Sequence, residues 1–166
     1  MGDAMSRSAK FFKAEEYELG ERFLKDGYVI TAVEDLENLE RIREAIAVAA
    51  GRHLGVHPSE TDSFLNYTHE HVAMDDLNDL RLQVISKLNT DPSSRPRYYS
   101  LARQSLAALV GNELAMQLRL NLSIQLPGDD SSLLPVHADV WSGDSPFEVV
   151  VWLPLVDCYG SKSMFL

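Results

Sequence analysis

LPVHADVWSGDSPFEVVVWLPLVD, Leu134 to Asp157, is the stretch whose reading decides the fold. His137-Ala138-Asp139 stands near its head, on what the pattern predicts to be a β-strand. Successive strand side chains point to opposite faces, so residues two apart share a face. His137 and Asp139 are therefore expected to project together, an imidazole beside a carboxylate. That pair is two-thirds of the 2-His-1-carboxylate triad that holds non-haem Fe(II) and leaves positions open for cosubstrate and oxygen. Ser142 to Pro146 reads as a turn, and Phe147 to Val156 is apolar on both faces, as expected of a buried strand.

Just upstream, Gln117, Arg119, Asn121, Ser123 and Gln125 alternate with Leu118, Leu120, Leu122, Ile124 and Leu126. Period-two patterning of this kind predicts a strand with one apolar and one polar face. On an ordinary sheet the polar face meets water; in a barrel with a ligand cavity it lines the cavity. Pro127 to Asp130 is a turn by composition. Tyr159 to Lys162 turns again, and Ser163 to Leu166 reads as the start of another strand.

Farther upstream the periodicity is helical. A first helix is expected over Ala14 to Lys25, closed by Gly27, with Tyr28 to Ile30 as a short strand after it. Glu34 to Ala50 carries Leu36, Leu39, Ile42, Ile46 and Ala49 at helical spacing, with Gly51 behind. Asp75 to Leu88 repeats the pattern with Leu77, Leu80, Val84, Ile85 and Leu88. Residues 89–96 read as a loop, and a third amphipathic helix is expected from Tyr98 to Val110, broken by Gly111. Between these elements lies a histidine-rich segment with His53, His57, His69 and His71. The His69-x-His71 spacing would suit a metal if the segment were extended; it reads instead as a loop followed by a helix entry, where alternate residues diverge by roughly 200° and do not converge on one ion.

Composition narrows the classes. The chain has 166 residues, 45% hydrophobic and 24% charged, an ordinary globular mix large enough for one core. Its net charge of −10 argues against nucleic acid, whose phosphates it repels. No apolar run approaches the roughly 18 residues of a membrane span. The single cysteine, Cys158, has no internal partner, which fits a reducing cytoplasm. Gly2 and Ser6 match a loose myristoylation pattern, for which a disordered start is the simpler reading.

Helices followed by short, turn-marked strands suggest helices buttressing a double-stranded β-helix, the jelly-roll core of cupins. In this order, residues 115–166 resemble Fe(II)/2-oxoglutarate-dependent oxygenases of the phytanoyl-CoA-dioxygenase type, and FLKDGYVI, Phe23 to Ile30, resembles their opening. The nearest fit is the sporadic-carbohydrate-cluster branch, with a similar series of H-x-D, W-x-G-D-S-P and V-V-V-W-x-P-L-V-D. Here these are His137 and Asp139, Trp141 to Pro146, and Val149 to Asp157.

The resemblance implies an α+β fold in which N-terminal helices pack on a partial jelly-roll core. It implies one domain over 1–166, with 14–112 as helical support and 115–166 as the first barrel strands. Iron would be held by His137 and Asp139, 2-oxoglutarate touched by Asn121 and Gln125, and Trp141 would line the pocket or pack structurally. The substrate would be a small molecule, a sugar or sugar derivative, handled in the cytoplasm. The family takes its second histidine and a 2-oxoglutarate-binding arginine from later strands, whereas no histidine follows His137 and no arginine follows Arg119. The expectation is therefore the first part of an oxygenase, inactive alone. The alternative is a non-enzymatic half-barrel that forms a homodimer through its exposed strand edge.

Overall fold

The computed structural model describes residues 12–130 and 135–163. The Gly2 and Ser6 pattern and the strand expected beyond Ser163 lie outside the described residues. The chain groups into two units, one drawn from Met1–Leu39 and Pro96–Leu118, the other from Glu40–Arg95 and Arg119–Leu166.

In the first unit, α1 (Ala14–Asp26) starts where the Glu16 carboxylate accepts the Lys13 N–H at 2.8 Å. It stops at Gly27, whose φ of 78° lets its N–H reach the Phe23 carbonyl at 2.9 Å. Tyr28 to Ile30, expected as a strand, has no regular structure. Helix α2 (Leu36–Leu54) is capped by Asp35, whose carboxylate accepts the Asn38 N–H at 3.0 Å.

The helix expected over Tyr98 to Val110 is two helices, α5 (Ser94–Ser100) and α6 (Arg103–Val110). Glu34 makes the break. Its N–H takes the Leu101 carbonyl at 3.0 Å, and its carboxylate accepts the N–H groups of Gln104 at 2.7 Å and Ser105 at 2.9 Å. A cap supplied from 70 residues away satisfies the free donors of α6. Pro96 sits in the first turn of α5, where a missing N–H costs nothing, so that helix begins inside the expected loop. Helix α1 packs on α6.

The second unit has the larger core. From α2 it buries Ile42, Ile46, Ala47, Ala50 and Gly51, and from α4 (Leu77–Thr90) it buries Leu77, Leu80, Val84 and Leu88. Leu80 and Val84 are fully enclosed. Between these helices run the short α3 (Thr61–Asn66) and two 3-10 turns, Thr68–Glu70 and Met74–Asp76. Gly51 is needed for close approach. A Cβ there would lie 2.7 Å from Pro58 Cδ and 2.8 Å from the Val56 carbonyl oxygen.

The expected α+β fold with a jelly-roll core is overturned, because the described residues contain helices and turns but no strand and no sheet. The period-two pattern nevertheless governs burial. Along 120–126, Leu120, Leu122, Ile124 and Leu126 turn inward while Asn121, Ser123 and Gln125 are exposed. Along 148–155, Val149, Val151, Leu153 and Leu155 turn inward while Glu148, Val150, Trp152 and Pro154 are exposed. Both segments thus alternate as extended chains do, but side chains of helices take the place of neighbouring strands.

Asn89 on α4 pairs with Leu120 in both directions, donating to its carbonyl at 2.9 Å and accepting its N–H at 2.8 Å. Arg81 donates through Nε to the Ile124 carbonyl at 2.8 Å, and a second guanidinium nitrogen donates to the same oxygen. Eight helical residues rise roughly 12 Å and four extended residues span roughly 13 Å, so the extended chain lies antiparallel to α4 with matching spacing. Arg81 also meets Asp129 at 3.4 Å, a carboxylate whose side chain is 2% exposed.

The later segment is tied the same way. Arg43 on α2 donates to the Leu155 carbonyl at 3.2 Å, and the Asp157 N–H donates to Asn66 Oδ1 at 3.1 Å. Burial works against the Arg43 charge, but hydrogen bonds to Asp62 and Glu40 outweigh it and hold its pKa above the ordinary value.

Two outcomes follow for stability. Gly51→Ala is expected to cost about 2 kcal/mol, since Pro58 and the Val56 backbone must both move; urea unfolding measures it. Arg81→Met, which strips the buried Asp129 of its cation, is expected to cost about 3 kcal/mol, and pairing it with Asp129→Asn should recover part of that loss in the same assay.

Candidate functional site

His137 and Asp139 do come together. The backbone of Ala138 between them is extended (φ −126°, ψ 137°), and His137 Nε2 lies 3.7 Å from Asp139 Oδ1. His137 Nδ1 sits 2.7 Å from the Pro135 carbonyl oxygen, which fixes the ring and turns Nε2 toward the carboxylate. Both side chains are about half exposed, at 47% and 50%. Asp139 then begins a 3-10 turn, Asp139–Ser142, so the strand expected to carry the triplet is not formed and the chain curls from that residue onward.

Among the described residues, no group of three histidine, cysteine or acidic side chains is placed to hold a metal ion. The donor set is one short of the facial triad, so the residues present do not fit an iron centre that binds 2-oxoglutarate. Asn121 and Gln125, expected to touch that cosubstrate, lie on the exposed face of 120–126. Trp141 is 75% exposed on its 3-10 turn and lines neither of the two hollows described below.

A different constellation is assembled farther upstream. A hollow of about 200 Å³ is lined by residues from Val56 to His71, among them His57, Glu60, Phe64, Tyr67, Glu70 and His71. Phe64 is its buried floor, and the His71 ring stacks on Phe64 at 5.5 Å between centroids and 18° between planes. Turn structure builds it. Gly51 admits the 56–58 loop, the Glu60 carbonyl accepts the Phe64 N–H of α3 at 3.0 Å, and the 3-10 turn Thr68–Glu70 swings Glu70 and His71 back. His69, on that same turn, leans toward Tyr67 instead. A second, open hollow in the first unit is lined by Glu34, Leu36, Ser100, Arg103 and Gln104, with Glu34 already committed to capping α6.

The chain matches no family model, and no curated protein or solved structure is similar to it. With no strand among the described residues and no family match, the resemblance to the oxygenases is withdrawn.

Sequence pattern singled out the histidine-rich segment but not its chemistry. The joining of His57, Glu60, Tyr67, Glu70 and His71 depends on turns whose closure no periodicity encodes. The anchors Arg81, Asn89 and Asp129 were equally silent, because each reads as an ordinary polar residue on a helix face or in a turn.

The exposure of His137 has a direct consequence. His137→Ala is expected to change stability by less than about 0.5 kcal/mol, read by thermal or urea unfolding, whereas a buried structural histidine would cost several times more.

Proposed function

We propose that this chain is an interaction module that takes an extended, basic segment of a partner protein along residues 148–153. What supports it is the outward side of that segment. Val150 is 62% and Trp152 48% exposed, with Phe147 89% exposed at its start. Among the described residues, the backbone groups of Val149, Val150, Trp152 and Leu153 make no hydrogen bond to other backbone. An extended chain with open backbone groups at these four residues and an apolar outer face suits strand addition, in which main-chain bonds give affinity and alternate side chains give specificity. Pro154 has no N–H to offer, so the ladder ends there.

The partner's charge follows from the surroundings. Asp144, Glu148 and Asp157 flank the segment, and the chain as a whole carries −10. A second copy would bring like charges together; a segment alternating apolar residues with lysine or arginine would not. The test is calorimetric titration with such a peptide. Val150→Pro, which removes an open N–H at an exposed position, is expected to weaken binding about tenfold or more while leaving the helical circular dichroism unchanged. Binding indifferent to Val150→Pro would sink the reading, and a discrete dimer on sedimentation would replace the basic partner with a second copy.

A second reading rests on one distance, the 3.7 Å between His137 and Asp139. Two such donors hold a divalent cation weakly. Anaerobic Fe(II) titration, with and without 2-oxoglutarate, tests it: weak binding lost in His137→Ala supports a two-donor site, and equal binding in both proteins removes it.

A further inference from the structure

We propose that the hollow over residues 56–71 is a binding site for an alkylammonium or guanidinium group. The lining decides the ligand class by elimination. Glu60 and Glu70 both face it, which disfavours anions. The wall is too polar for an apolar ligand, with Ser59, Ser63, His57 and His71 also contributing. No three metal-binding side chains converge there among the described residues. What remains is a monovalent organic cation, whose charge meets the carboxylates while its stem lies against the rings of Phe64 and Tyr67.

The carboxylates are uncommitted. Asp62, close by in the chain, is paired with Arg43 at 2.5 Å, and Asp35 and Glu34 are spent on helix caps. Glu60 stands at the N-terminus of α3 but makes no side-chain cap there, its carbonyl alone serving the helix. Neither Glu60 nor Glu70 has an ion-pair partner among the described residues. The volume of about 200 Å³ equals roughly six or seven waters at 30 Å³ each, enough for the end of a lysine or arginine side chain. Asn66, which holds the Asp157 N–H, immediately precedes Tyr67 on the wall. The site does not depend on the strand-taking reading, because its ligand is defined by the hollow alone.

The test is a nuclear magnetic resonance titration of the full chain with butylammonium, with N-acetyl-lysine methylamide, and with butanol as the neutral isostere. Saturable shifts at Tyr67 and His71 with either cation, and none with butanol, are expected. The double variant Glu60→Gln/Glu70→Gln, altered only at exposed positions, should weaken cation binding about fivefold or more with an unchanged melting temperature. Tighter binding of the capped lysine than of butylammonium would identify a protein side chain as the source, and equal binding a free amine. Equal shifts with butanol, or no saturable shift with either cation at millimolar concentration, would overturn the proposal.

Discussion

Every backbone N–H and C=O removed from water needs a partner, and at Leu120, Ile124, Leu155 and Asp157 that partner is a side chain of a helix. Asn89 is the clearest case. Its amide offers one donor and one acceptor in a plane, which matches what a neighbouring strand would present to Leu120. Arg81 donates twice to the Ile124 carbonyl, Arg43 once to that of Leu155, and Asn66 takes the N–H of Asp157. These points pin two alternating segments onto α2, α3 and α4 without a sheet. The inward leucines and valines then supply apolar burial, at roughly 25 cal/mol per Å².

That scheme places unusual demands on a few groups. Arg81 serves a carbonyl and the enclosed Asp129 together, so one guanidinium ties a segment and neutralises a buried charge. Gly51 has the opposite role, giving up a side chain so that Pro58 and Val56 can pass close to α2. Gly51 reaches a candidate site indirectly, through the loop that walls the hollow.

Much of the helical framework was legible. The glycine after α1, the apolar stripes of α2 and α4, and the break at Gly111 are local signals, and local signals survive any tertiary arrangement. The alternation expected along 117–126 appears as alternating burial over 120–126, with Leu118 exposed, whereas 147–156, expected to be buried on both faces, is exposed along one of them at Val150 and Trp152. The meaning of the alternation was not legible. Period two reports an extended chain with one buried face, but it is silent on whether the backbone pairs with a strand or with Asn89 and Arg81. The split between α5 and α6 was hidden for a similar reason, because Glu34 makes it from far away in the chain.

The same distinction explains why the H-x-D triplet misled. Two residues either side of one extended residue meet by local geometry alone, and His137 and Asp139 do so at 3.7 Å with no strand around them. A facial triad needs a third donor brought to the same point by tertiary structure, and none arrives among the described residues. The pair is therefore what spacing guarantees, while the triad is what a fold must add. The hollow at 56–71 is the converse. Its walls lie within one short run of chain, so the 56–60 loop, α3 and the 3-10 turn Thr68–Glu70 suffice to form it. Chemistry assembled by turns is invisible to periodicity yet robust to the absence of a sheet, and that is why the hollow's lining comes together where the triad does not.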